Sequence, residues 1–88
     1  MQASKKDILN RLATIEGHLK GIRKMVDEDK YCVDIVRQMY AVRKAIEKLE
    51  SLLVENHLHT CVPKGITNGN VQTVIEELVQ LYTLSGNR

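Results

Sequence analysis

Tryptophan and phenylalanine are absent from this 88-residue chain, and tyrosine occurs three times. So little aromatic surface excludes base-stacking platforms for single-stranded nucleic acid. A single proline leaves long stretches with nothing to break a helix. No apolar run approaches the ~18 residues of a membrane span, so no membrane association is expected. The N-terminal MQASKKD lacks a signal-peptide pattern. The cytosol is therefore the expected location. Only two cysteines are present. In a reducing compartment they point to metal or redox chemistry rather than to a structural disulfide. No nucleophile–base pair stands out, so an enzyme is not expected.

What is present is helical pattern and unevenly placed charge. Residues 1–48 carry eleven Lys/Arg against seven Asp/Glu, and residues 49–88 carry two against four. The N-terminal half could face a polyanion; the C-terminal part is ill suited to one. Eighty-eight residues allow one small domain, 1–88, with too little core for comfortable stability as a monomer.

The spacing predicts three helices. In residues 5–26, Ile8, Leu12, Ile15, Leu19, Ile22 and Val26 recur in alternating steps of four and three. Ser4 and Asp7 resemble an N-terminal cap. Asp27 to Lys30 form a short polar turn, which folds the first two helices into an antiparallel hairpin. The second helix is expected from about Tyr31 to Thr60, with Ile35, Met39, Val42, Ile46, Leu49 and Leu53 as its seam. Pro63 and Gly65 are expected to end it, leaving residues 64–70 as a loop. A last helix is expected from about Val71 to Leu84, followed by a frayed tail.

Both cysteines sit near the ends of the central stretch, Cys32 and Cys61. His57 lies four residues before Cys61 and so shares its helical face. On a straight helix Cys32 and His57 would be ~38 Å apart. One chain cannot bring them to a single ion, whereas an antiparallel second copy could. The midpoint of the two thiols falls near Ala45 and Ile46, the same point about which two seams would pack. The sequence thus suggests an intersubunit metal site in a four-helix-bundle dimer.

Two thiolates and one imidazole select Cu(I), Zn(II) or iron–sulfur chemistry. A closed zinc site wants a fourth ligand. His59 is a poor candidate, because two residues from His57 and Cys61 it points to another side of the helix. Three donors fit Cu(I) best. Taken singly, a cysteine among apolar residues is also ordinary packing, and an HxH pair near a helix end is also a cap. His18 has no cysteine at a reachable spacing and reads as a surface or packing residue.

Three separated runs, IEGHLKGI, KYCVDIVRQ and NHLHTCV, closely resemble the copper-sensitive operon repressor family of bacterial transcriptional regulators. Cys32, His57 and Cys61 meet that family's Cys-x24-His-x3-Cys pattern, and the resemblance spans about Ile8 to Leu84. It implies an all-α, three-helix protomer with a long central helix. Such protomers form an antiparallel four-helix-bundle dimer and a dimer-of-dimers tetramer. It implies Cu(I) as the effector, operator double-stranded DNA as the partner, a copper chaperone as a metal source, and a bacterial cytoplasm. It also implies that Tyr31 and Glu77 support the ligands, Glu77 by accepting a hydrogen bond from His57.

Nickel and cobalt sensors of the group recruit an N-terminal or first-helix histidine, for which MQASKKD offers none. A formaldehyde-responsive branch has Pro where this chain has Gln2, and a persulfide-responsive branch lacks the histidine. A thiol- or persulfide-sensing repressor, or a sensor of nickel or another metal, stays open as the alternative. No helix-turn-helix motif is visible. The resemblance instead places Arg11 and Lys48 at DNA-contact positions, with Lys5, Lys6, Arg43 and Lys44 as auxiliaries.

Overall fold

The computed structural model describes residues 5–86, and side chains as far as Leu84. The expected cap at Ser4 and the last two residues of the expected tail lie outside the described residues. Helix α1 runs Lys5–Asp27 and α2 runs Cys32–Asn56. A π-helical turn, His57–Cys61, passes directly into α3, Val62–Thr67, and α4 runs Val71–Gly86. Among the described residues there is no strand. The described residues are all-α, and the longest uninterrupted helical stretch is the middle one, Cys32 to Thr67.

The middle rod ends later than its sequence suggests. Pro63 sits in the first turn of α3, where a missing N–H costs least. Gly65 continues in helix. Only Asn68 to Asn70 leave it, so residues 64–67 are helical rather than loop. The stop is made by backbone, not by proline. Gly69 adopts φ 78°; its N–H reaches the Ile66 carbonyl at 3.1 Å, and that of Asn70 reaches Gly65 at 2.8 Å. This is the paired-bond Schellman ending, which needs a left-handed residue at its pivot. The end of α1 uses the same device. Asp29 sits at φ 52°, with Asp29 N–H on Val26 O at 3.1 Å and Lys30 N–H on Met25 O at 2.9 Å. Asp tolerates this region better than most residues.

The chain divides into two compact units, one up to Leu52 and one from Leu53 onward. In the first, α1 and α2 form the hairpin. His18 Nε2 and Gln38 Oε1 are 2.7 Å apart, and each lies ten positions from Glu28 at the turn. That pairing is the antiparallel registry expected from a short turn, and it accounts for His18 as an interhelical hydrogen-bond partner. Ile8, Ile15 and Ile22 of α1 and Val42 and Leu49 of α2 are 5–7% exposed. Their sevenfold spacing keeps one row of each helix turned inward. The alternate row is not covered: Leu12, Leu19, Val26, Met39 and Ile46 are 38–53% exposed. Leu19, Ile22, Met39, Val42 and Ile46 line an open groove of about 380 Å³.

In the second unit α3 lies close against α4. A Cβ added to Gly65 would come within 2.5 Å of Val74 Cγ2, and Val74 is 6% exposed. No larger residue fits without moving the helices apart. Asn70 starts α4 by accepting the Val74 N–H at 3.0 Å. No helix among the described residues is long and apolar enough to cross a membrane.

Candidate metal centre

The candidate ligands are placed by helix ends. Cys32 is the first residue of α2 and is exposed. Tyr31 precedes it as the capping residue; its carbonyl accepts the Asp34 and Ile35 N–H groups at 3.0 and 3.2 Å. His57 opens the π turn and Cys61 closes it. Cys61 is exposed and carries a free thiol, as does Cys32. Among the described residues no three His, Cys, Asp or Glu side chains gather closely enough to hold a metal ion.

The second unit does bring His57 to Glu77. Nε2 of His57 lies 2.8 Å from Oε2 of Glu77, with the two side chains 24% and 44% exposed. The contact is close but not directed. Nε2 is buried, yet no acceptor lies in line with its N–H. The distance therefore describes an electrostatic pair whose hydrogen bond needs a small ring or carboxylate rotation to close. Leu53, Val54, Gln80 and Leu81 wall the pair into a pocket of about 260 Å³. Nε2 itself is out of reach of solvent, which strengthens its interaction with a carboxylate. With Glu77 facing Nε2, Nδ1 is the ring nitrogen left for a ligand.

Thr60 is a neighbour that the sequence did not flag. Its hydroxyl donates to the Asn56 carbonyl at 2.7 Å, supplying a partner inside a turn where backbone pairing is irregular. The same oxygen is 3.6 Å from Cys61 Sγ. The π turn itself was also missed, although its signal is present: Pro63 stands four residues after His59 and has no N–H to give its carbonyl. His59 is exposed.

The candidate DNA-contact residues all belong to the first unit and are exposed: Lys5, Lys6, Arg11, Arg43, Lys44 and Lys48. Arg11 Nε holds Asp7 Oδ2 at 3.2 Å, and Lys44 Nζ holds Glu47 Oε2 at 3.3 Å. Surface pairs of this kind contribute about 0–1 kcal/mol and exchange readily for phosphate. Arg43 and Lys44 also lie 5.2 and 5.5 Å from the Tyr40 ring centroid, which restrains two flexible cations on one outer face of α2.

The chain is similar to several metal-sensing repressors. The copper-sensing transcriptional repressor CsoR of Mycobacterium tuberculosis H37Rv is 42% identical over 79 residues, covering 90% of this chain and 66% of that protein. The chain thus spans just under two thirds of the length of that mycobacterial relative. CsoR of Bacillus subtilis strain 168 is 42% identical over 78 residues, covering 89% of this chain and 77% of that one. Among solved structures, the copper-sensing repressor CsoR with Cu(I) from Geobacillus thermodenitrificans NG80-2 superposes with a TM-score of 0.89. It shares 31% identity and covers 98% of this chain and 90% of its own. The nickel-responsive transcriptional regulator InrS superposes at 0.77, also with 31% identity, over 94% of this chain and 93% of its own. The model of the metal-sensitive transcriptional repressor family matches residues 4–83. This chain is a member of the metal-sensitive transcriptional repressor family.

Proposed function

We propose that the chain is a Cu(I)-responsive repressor. It holds operator DNA when metal-free and releases it when Cu(I) occupies a site built by Cys32 of one chain with His57 and Cys61 of another. The observation that carries this reading is the 2.8 Å approach of Glu77 to Nε2 of His57. It reserves one ring nitrogen for the protein and leaves Nδ1 as the imidazole donor to pair with Cys61. Such an outer partner orients a ligating histidine and raises its basicity. Bound Cu(I) would supply a soft cross-link between two chains, which two thiolates and one imidazole suit well.

The half-covered seam supports the second copy. Leu12, Leu19, Met39 and Ile46 stay exposed after α1 and α2 have packed together. An antiparallel copy would cover them and place each Cys32 near the partner's His57 and Cys61. Two dimers would make the working tetramer, a single metal-sensing and DNA-binding domain over residues 1–88 in each chain. A bacterial cytoplasm and a copper chaperone as metal source complete the proposal, and no catalysis is assigned.

DNA would be held through phosphates by Arg11 and Lys48, aided by Lys5, Lys6, Arg43 and Lys44. Tyr31 would shield the Cys32 thiolate. When Cys61 and His57 engage the site, His57 turns into line with Glu77 and draws α4 with it. Occupancy of the metal and DNA sites then oppose each other by a coupling of about 1–3 kcal/mol.

The test is fluorescence anisotropy of a duplex from the promoter upstream of the chain's own gene, with and without anaerobic Cu(I). Wild type should lose DNA affinity roughly 5–150-fold on Cu(I) addition, and Cys32→Ala should not respond. DNA binding indifferent to Cu(I) overturns the reading. Exposure of both free cysteines favours one second reading, a thiol sensor. It predicts oxidant- or polysulfide-driven release that survives His57→Ala.

A further inference from the structure

The groove of about 380 Å³ on the first unit is not purely apolar. Beside Leu19, Met39 and Ile46 it is lined by one cation, Arg43, and one anion, Glu50. Both are exposed and both belong to α2. Seven positions separate them, which is two turns and about 10.5 Å along the helix axis. Met39, Arg43, Ile46 and Glu50 thus form a second row, again in steps of four and three, beside the buried Val42 and Leu49. The Arg43 guanidinium is partly restrained already, with Cζ 5.2 Å from the centroid of the Tyr40 ring. Such restraint lowers the side-chain entropy that an ion pair would cost.

This row is complementary to itself when reversed. Arg43 and Glu50 are equally far from a point between Ile46 and Glu47, within a residue of the point about which the two thiols pair. A second copy turned end over end about that point brings its Glu50 to Arg43 and its Arg43 to Glu50. Ile46 then meets the partner's Ile46, and a two-fold interface makes every other contact twice. The competing arrangements nearest to this one set like charges together. A parallel copy in register places Arg43 on Arg43 and Glu50 on Glu50. An antiparallel copy slipped by one heptad places Arg43 on Arg43 in one direction and Glu50 on Glu50 in the other. Repulsion in the wrong pairing selects as much as attraction in the right one.

We infer that Arg43 and Glu50 pair reciprocally across a two-fold axis near Ile46, and that these two ion pairs set the direction and register in which two copies join. The inference rests on the proposed reading that a second copy covers this groove, and adds what selects its register. Register matters to the metal centre, because a slip of one heptad moves Cys32 about 10 Å along the axis from the partner's Cys61. Where the pairing holds, Arg43 serves the interface instead of the auxiliary DNA contact proposed above.

Metal-free protein tests this, by sedimentation equilibrium and by native mass spectrometry of mixed, isotopically distinguished chains. Arg43→Glu alone and Glu50→Arg alone should each weaken self-association at least tenfold, with circular dichroism showing that the helices persist. Mixing the Arg43→Glu chain with the Glu50→Arg chain should give mixed oligomers well above the statistical share, because both contacts then join opposite charges. The double variant, Arg43→Glu with Glu50→Arg, exchanges the two charges and should return to wild-type association. Undiminished association of both single variants overturns the inference. So does a mixture that shows no preference for mixed oligomers, or a folded double variant that stays dissociated. A wild type that is monomeric throughout removes the second copy itself, and the proposed reading of the groove then falls along with the inference.

Discussion

Glu77 Oε2 and His57 Nε2 stand 2.8 Å apart, one on α4 and the other at the first residue of the π turn, yet the N–H does not point at the carboxylate. Closing the hydrogen bond needs only a rotation, and a ligand on Nδ1 would set that rotation. The pair therefore sits where metal occupancy could be passed to the last helix.

Removing the carboxylate should uncouple sensing from release. Glu77→Ala is expected to weaken Cu(I) binding by about 10–100-fold, as loss of an outer-shell partner usually does. At saturating Cu(I), DNA release should shrink toward none. Anaerobic Cu(I) competition and operator anisotropy on the same protein separate the two effects. Full release by the saturated variant would show that α4 takes no part.

Gly65→Ala should act at a distance from the donors. The added Cβ would stand 2.5 Å from Val74 Cγ2, and forcing extra bulk into a packed contact costs about 1–3 kcal/mol. The expected readout is a lower melting temperature together with weaker Cu(I)–DNA coupling, since Glu77 lies one turn after Val74 on α4. An unchanged melting curve would mean that α3 and α4 yield freely.

Charge reversal at Arg11 and Lys48 should abolish DNA binding at moderate salt while leaving Cu(I) affinity unchanged. Each lost phosphate contact should also lower the slope of log affinity against log salt by about 0.9. Titrations of Arg11→Glu and Lys48→Glu at several salt concentrations check both statements. A wild-type slope in either variant would remove that residue from the interface.

Polar replacement of the exposed seam row should dissociate the protein. Leu19→Ser with Ile46→Ser leaves Ile15, Val42 and Leu49, the inward row, untouched. Sedimentation equilibrium should then show a smaller species, with Cu(I) affinity lost at the same time because Cys32 no longer meets its partner site. A dissociated variant that still binds Cu(I) through all three residues would rule out the shared site.

Much of this was legible before the fold was known. Steps of four and three place apolar residues on one side of a helix whatever surrounds it, so the α1 and α2 seams could be read directly. A short polar turn leaves two helices no option but to fold back, and the His18–Gln38 pair confirms that registry. The end of the middle rod was misread. Pro63 and Gly65 look like stop signals in isolation, but proline is tolerated in a first helical turn and a glycine is tolerated where another helix approaches.

What the sequence by itself determined is the local and the chemical: three helices, a thiol at the start of the long one, a second thiol far along it, and a histidine one turn before that second thiol. Those follow from periodicity and residue type, which need no neighbours. Tertiary structure decided what depends on several constraints meeting at one place. Pro63 was taken into the first turn of α3 instead of ending the helix. The lack of a Cβ at Gly65 became the close approach of α4. The packed fold also set Glu77 opposite His57, a pairing twenty positions apart that no spacing rule encodes.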